Sequence, residues 1–576
     1  MTPARQLLRH WRSAVVVLAP ALLAPLALHG QEGRCALVVV LMSVYWMTEA
    51  LPLPVTSLLP VVLFPLLGVL GTDKVCAAYL QDTNMMFIGG LIVAIAVEHC
   101  NLHKRIALNV ILLVGTSPMR LMMGFMLTTT VLSMWISNTA TTAMMVPIVH
   151  AVLDQLNEQR KAEKGQPSSA PCVVSTPDSE QASGVFDPET RRKSVCRPDC
   201  GPQGHPDAET VCYFLGVAYA SNLGGAGTLT GSATNLTFKG LWDQLYPGGE
   251  GATFATWVVF NVPLMLVNVL AAWLWLQILF MRLFRRDSTN SQTSPRRAQA
   301  IEDVIRAEVD RLGPVTFHEA CTLLLFVALV LLWFFRQPEF MPGWAAAVSP
   351  VPVMDATPVM LIVILFFILP SELSFLSYFK RNERNATKPA PALLNWKLIH
   401  EKVPWGLVLL LGGGFAMAAA SKESGLSELL GRKLAGLQVL PRVLILAVVC
   451  TATTFITEVS SNTAVANIVL PVLANMAVQM GTHPMYFMMP ATLCCSYAFM
   501  LPVATPPNAI VLAASNMRTT DMIKAGFGMN IICLLILLVL FPTFGFYVYS
   551  LGEFPSYANV SAVANTTLEV AMLRNI

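Results

Sequence analysis

Charge is scarce in this sequence: Asp, Glu, Lys and Arg together make up 12% of its 576 residues, and the net charge is only +3. A soluble chain of this length needs far more polar surface to cover its core. With a mean hydropathy of +0.60 it reads as a polytopic membrane protein. Paired cysteine spacing is also missing. The twelve cysteines are scattered, and Cys450, Cys494, Cys495 and Cys533 lie inside apolar runs, where a small polarizable side chain serves packing. No disulfide framework or cysteine metal site follows. Enzyme signatures are absent as well. There is no HExxH and no G-x-S-x-G, and the stretch 224–231 breaks G-x-G-x-x-G because Thr holds the final glycine position. No cofactor and no nucleic-acid partner are expected. Rings of carbonyls or charges that would mark a channel pore are missing too.

Apolar stretches, most of them long enough to span a bilayer, fill most of the chain. The first, Ser13 to His29, follows Arg5, Arg9 and Arg12 and has no small-residue cleavage box, so it reads as a retained signal anchor. Others cover 35–70 (broken at Glu49 to Pro54), 84–98, 104–134, 211–222, 253–283, 318–336, 354–370, 404–420, 440–458, 485–504 and 522–550. Three stretches are hydrophilic. Residues 155–210, rich in Pro, Ser, Gly and charge, read as a disordered cytoplasmic loop. Residues 284–317 are a cytoplasmic segment. Within it Ile301, Val304, Ile305, Val309 and Leu312 line one helical face, which predicts an amphipathic helix on the membrane surface. Residues 371–403 carry Lys380, Arg381, Arg384 and Lys388. Basic short loops and the basic N-terminus belong in the cytoplasm. Sequons at Asn559 and Asn565 put the tail, 551–576, outside if they are glycosylated. The ends then lie on opposite sides, which requires an odd number of spans. The sequons at Asn235 and Asn385 are set aside, the first because it falls in the candidate site and the second because it falls in a basic loop.

One polar phrase occurs twice inside this apolar sequence, as Ser137-Asn138-Thr139-Ala140 and Ser461-Asn462-Thr463-Ala464. A proline follows each at the same offset, Pro147 and Pro471. Each also has a later, small, Asn-ending partner: Gly231-Ser232-Ala233-Thr234-Asn235 and Ala504-Thr505-Pro506-Pro507-Asn508. Ser137 and Asn235 are 98 positions apart and Ser461 and Asn508 are 47 apart. The surplus is close to the length of the 155–210 loop, so the halves read as two inverted repeats: 1–154 continued by 211–283, and 318–550. Matched polar breaks in two halves of a membrane chain point to a transporter's midplane site. Helix N-termini there offer partial positive charge and free N–H donors to an anion, while hydroxyls and unwound carbonyls suit a hard cation. Interhelical hydrogen bonding is the plain alternative for a single copy; two copies with matching partners favour a binding site. Gly224-Gly225-Ala226-Gly227 suggests backbone packed closely or wrapped around an ion, and Gly412-Gly413-Gly414 suggests packing. Glu458 beside the second phrase has either a functional or a capping role.

At these residues the chain resembles the divalent anion/sodium symporter family, the solute carrier 13 group of di- and tricarboxylate and sulfate transporters. Asn101-Leu-His-Lys-Arg-Ile-Ala-Leu108, Leu132-Ser-Met-Trp-Ile-Ser-Asn-Thr-Ala-Thr141 and Leu501-Pro-Val-Ala-Thr-Pro-Pro-Asn-Ala-Ile510 carry the likeness. Ala218-Tyr-Ala-Ser-Asn-Leu-Gly-Gly-Ala-Gly-Thr228 is similar to the insect INDY branch. The resemblance implies an all-α plasma-membrane homodimer of about 11 transmembrane helices with two re-entrant hairpins, in which a transport domain moves elevator-fashion against a scaffold. It implies sodium-coupled carriage of citrate, succinate and related anions. Substrate would lie among Ser137, Asn138, Thr139, Ser461, Asn462, Thr463, Thr505 and Pro506. One sodium site would use Ser133, Ser137, Asn138, Gly225, Gly231 and Asn235, and the other Thr457, Ser460, Asn462 and Ala504. Vertebrate carboxylate members usually have Gly-Thr-Ala-Pro-Asn or Gly-Thr-Gly-Pro-Asn at 231–235 and Ser-Asn-Val at 461–463, so a sodium-independent carboxylate exchanger stays open. Sulfate members differ at Ala140 and Thr463, which favours carboxylates over sulfate or another divalent anion.

Overall fold

The computed structural model describes residues 11–115, 117–163, 207–247, 249, 251–281, 295–338, 341–372, 390–434 and 439–558. Among the described residues there is no strand beyond one isolated bridge, Pro370 with Ala392. The first helices are α1 Trp11–Leu23, α2 Gly30–Thr48, α3 Leu53–Thr56, α4 Leu59–Leu66, α5 Thr72–Ala77, α6 Asp82–His99, α7 Leu102–Val114 and α8 Pro118–Ser133. Then come α9 Asn138–Glu163, α10 Ala208–Gly224, α11 Ala233–Leu245, α12 Phe254–Phe280, α13 Pro295–Arg311, α14 Phe317–Phe334, α15 Trp344–Val348 and α16 Ala356–Ile368. The remainder are α17 Trp396–Lys402, α18 Trp405–Glu423, α19 Leu426–Leu434, α20 Arg442–Thr457, α21 Asn462–Gln479, α22 Met485–Cys494, α23 Pro506–Ser515, α24 Thr519–Leu540 and α25 Phe546–Val548. By length and composition, seven helical segments of the described residues can cross a membrane, and five shorter apolar helices accompany them.

Local chemistry sets the ends. Thr253 and Thr256 form a capping box at the start of α12, and Thr316 and Glu319 form one at α14. The apolar stretch 104–134 is not one element. It breaks where Gly115 takes φ +98° and Pro118 opens α8, so α7 and α8 fold back on each other. The structure also corrects the 155–210 stretch, since α9 continues to Glu163 and α10 begins at Ala208; the residues between lie outside those described. The apolar face of α13 packs against α7 and α9 instead of facing a membrane surface, with Ile305 buried. Asn559, Asn565 and Asn385 fall outside the described residues.

The two phrases occupy equivalent places. In each half an apolar helix, α8 or α20, ends in a short turn, and the next helix, α9 or α21, begins at the Asn of the phrase. The prolines do not make these turns: Pro147 and Pro471 lie inside the second arms. Two further broken helices complete the arrangement, α10/α11 and α22/α23, each unwound just before its Asn-ending loop. First-half α9 packs on second-half α23, and second-half α21 packs on first-half α11. This exchange brings both phrases and both loops to one centre. Gly412, Gly413 and Gly414 serve packing, since a Cβ there would strike Tyr79, Ser57 and Asn467.

Candidate functional site

Ser133 stands at the end of α8 and its hydroxyl is buried. Two acceptors lie within reach of that one proton: Asn138 Oδ1 at 2.7 Å and the Ser221 carbonyl at 2.8 Å. The second half repeats the arrangement. Thr457 Oγ1 lies 2.8 Å from Asn462 Oδ1 and 2.9 Å from the Cys495 carbonyl. A hydroxyl donates one proton, so in the second cluster one of the two oxygens is left without a donor, while in the first the Ser221 carbonyl also accepts the Gly225 amide at 3.2 Å. Ser460 adds a buried hydroxyl that has no partner. Oxygen-rich clusters in a buried setting suit a hard monovalent cation.

The loops supply the rest of each cluster. Asn235 donates from Nδ2 to the carbonyls of Gly225 at 2.9 Å and Thr228 at 2.8 Å. Asn508 does the same for Ala498 and Leu501, each at 3.0 Å. These amides hold the unwound turns open. Glycine is required in the first of them. A Cβ on Gly225 would come 2.6 Å from Asn138 Oδ1 and 3.1 Å from the Gly231 carbonyl, and one on Gly231 would come 2.6 Å from the Gly225 carbonyl. Ser133, Asn138, Gly225, Gly231 and Asn235 are therefore brought together. Ser137 is exposed, and its Oγ accepts only the Ala140 amide, at 3.3 Å. Ala504 and Thr505 are buried in the second loop, and Pro506 is exposed at the start of α23.

The side chains of the two phrases differ in access. Ser137 and Thr139 are exposed, Asn138, Ser461 and Asn462 are half-buried, and Thr463 is buried. The first-turn amides of α9 and α21 have no intrahelical acceptor and carry the positive ends of helices 26 and 18 residues long. Neither phrase nor its loop contains Lys or Arg.

Three groups that sequence reasoning missed, or left without a role, complete the site. Ser221 Oγ donates to the Asn138 carbonyl at 2.8 Å and fixes the start of α9. Asn222 crosses between the halves, its Nδ2 lying 3.3 Å from Thr505 Oγ1 and from the Ala498 carbonyl. Ser496 answers it from the second half, with its Oγ 3.1 Å from Thr234 Oγ1. Spacing in the sequence carries no signal for such cross-half bonds. Glu458 has a capping role. It is 3% exposed, and its carboxylate accepts the backbone amides of Phe499, Met500 and Leu501 at 2.8–3.1 Å and Asn530 Nδ2 at 2.7 Å. Successive amides make a small anion nest, and here the chain fills it with its own carboxylate.

The family described as "Sodium:sulfate symporter transmembrane region" matches residues 6–551. "Protein I'm not dead yet" of Drosophila melanogaster is 43% identical over 564 residues, covering 96% of this chain and 92% of that protein. Human "Solute carrier family 13 member 2" is 44% identical, covering 98% of each. The "Na(+)/citrate cotransporter" of Rattus norvegicus is 41% identical, covering 98% of this chain and all of that one. Among solved structures, the Alcanivorax borkumensis YdaH transporter aligns with a TM-score of 0.49 at 14% identity, over 82% of this chain and 87% of that one. By its family match and its full-length relatives, this chain belongs to the sodium:sulfate symporter family, within the solute carrier 13 group, and is a membrane transporter and not an enzyme.

Proposed function

We propose that the protein carries di- and tricarboxylates, citrate and succinate among them, across the plasma membrane by sodium-coupled symport. The observation that carries this reading is the pair of matching oxygen clusters, each at the start of a helix that opens with the phrase, with no Lys or Arg in either phrase or loop. A dianion left uncompensated at this depth would cost many kcal/mol. Helix ends and hydroxyls offset part of that cost, and bound cations supply the rest. Relatives about equally similar to this chain are named for sodium-coupled carriage of dicarboxylate and of citrate.

In this reading Ser133, Asn138, Gly225, Gly231 and Asn235 hold one sodium, and Thr457, Ser460, Asn462 and Ala504 hold the other. Each cation draws the Asn of its phrase into place. The amides of α9 and α21 and the hydroxyls of Ser137, Thr139, Ser461, Thr463 and Thr505 then receive the carboxylates. The hairpin elements α8–α12 and α20–α24 form the moving body of an elevator in a homodimer, with the N-terminus cytoplasmic and the tail outside. Uptake of radiolabelled citrate and succinate in cells expressing the protein, with sodium replaced by choline, tests it. Uptake should fall to background in choline. Full uptake in choline that accelerates with internal citrate would select an exchanger instead.

A further inference from the structure

A cavity of about 530 Å³ lies between α7, α13 and one face of α9, its lining reaching Ala140 at the end of the first phrase. That volume is in the range of small-molecule sites. Its α9 wall is an apolar stripe in which Ala140, Ala143, Pro147 and Ala151 alternate with the larger Met144 and Ile148, forming a slot along the helix. Val304 and Ile305 of α13 close the opposite side. The roof is fixed. Arg105 donates to the Gly313 carbonyl at 3.0 Å and the Leu312 carbonyl at 3.3 Å while its guanidinium pairs with buried Glu319 at 3.1 Å.

The few polar groups define the occupant. Both acids at the cavity are already neutralised, Glu98 by Lys402 at 2.5 Å and Glu308 by Arg311 at 2.5 Å. Lys104 has no acid partner among the described residues, so the mouth keeps one uncompensated positive charge. Inside, Thr141 is 1% exposed and its Oγ1 has no partner. Buried His103 places Nδ1 3.1 Å from the Val97 carbonyl, leaving its other ring nitrogen available. Citrate does not fit such walls, because apolar side chains cannot replace its hydration. One anionic head with an apolar chain does.

We infer that this cavity binds a long-chain carboxylate, its head at Lys104 and its chain along the Ala140–Ala151 stripe, and that occupancy slows transport. The occupant wedges α9, which begins with the first binding phrase, against α7 and α13 and so holds that phrase in one position. Only the transport clause rests on the function proposed above; binding stands independently.

Purified protein in detergent is photolabelled with a diazirine-bearing palmitate and digested for peptide mapping. Label should concentrate on α7, α9 and α13. Lys104→Gln should weaken labelling about fivefold, while Lys104→Arg retains it, as expected for loss of one ion pair. Ile305→Trp, which fills the slot, should abolish labelling and leave citrate uptake with no further response to palmitate. Label spread over lipid-facing helices and indifferent to Lys104→Gln overturns the site. Competition by lysophosphatidate but not palmitate overturns the carboxylate head in favour of a membrane phospholipid. If labelling behaves as expected but the parent carries no citrate, the site survives and the carrier reading fails.

Discussion

The two halves use one phrase and anchor it differently. In the first half the turn before the phrase is held by neutral groups: Ser221 on the Asn138 carbonyl and Thr228 on the Met134 carbonyl. In the second half Glu458 stands beside the turn at the position Met134 occupies in the first, and a buried carboxylate gathers three consecutive amides and an asparagine. The first phrase is open, with Ser137 and Thr139 exposed, and the second is more enclosed, with Thr463 buried. Sequence identity between repeats therefore does not imply mechanical identity. The second half rests its turn on a buried charge, and the first on neutral groups alone.

Glu458→Ala breaks that contrast most severely. It strands buried amides that have no other acceptor, at a cost of about 3–5 kcal/mol. Met134→Ala should cost about 1–2 kcal/mol, since it removes only part of a half-buried side chain. Thermal unfolding of the purified variants in detergent ranks the two, and equal losses would refute a difference in anchoring. Next come the phrases themselves. Asn138→Ala and Asn462→Ala each remove about 1.5–3 kcal/mol of charge-assisted hydrogen bonding, roughly ten- to a hundredfold in affinity. Both should lose uptake at limiting citrate with surface expression intact. Normal uptake by either variant would show that its half does not bind the anion.

The smallest effect concerns an outlying part of the second half. His483 lies between α21 and α22, outside the spanning helices. It stacks on Trp242, and its Nε2 sits 3.3 Å from the hydroxyl of Tyr557 near the tail. Its Nδ1 accepts the Met485 amide at 3.2 Å and must be unprotonated to do so. Burial pushes its pKa from 6.5 down to about 4. The unfolded chain therefore binds the proton first, so this contribution to stability is complete above pH 6.5 and is lost as the pH falls toward 4. The unfolding temperature should decline over that interval, and His483→Gln should flatten the decline. An unchanged slope in the variant would assign the acid sensitivity elsewhere.

Much of the candidate site is legible in the sequence because a polar phrase inside a spanning run has few reasons to be there. Ser-Asn-Thr, its repeat and the Asn-ending loops marked the breaks correctly, and the glycines flagged a close approach that Gly225 and Gly231 require. The boundary of α7 and α8 is hidden in the sequence. Gly115 and Pro118 signalled it, but continuous hydropathy across 104–134 masked the turn. Asn222 and Ser496 were invisible for a different reason: their partners lie in the other half, and spacing along one chain does not encode a contact made by interleaving two repeats. The role of Glu458 also needed three dimensions, because the amides it collects lie some forty residues away.

The single proton of Ser133, and that of Thr457, makes each of these hydroxyls a two-position rotor. Without a cation, each must abandon one acceptor, and the start of α9 or α21 has two nearly equivalent ways to be held. A sodium ion placed among the same oxygens satisfies both acceptors at once and turns the proton outward, leaving a single arrangement. If sodium binds there as proposed, loading it would remove a choice, and the ordering cost of a second ligand would already be met. Cation and anion would then cooperate even if they never touched.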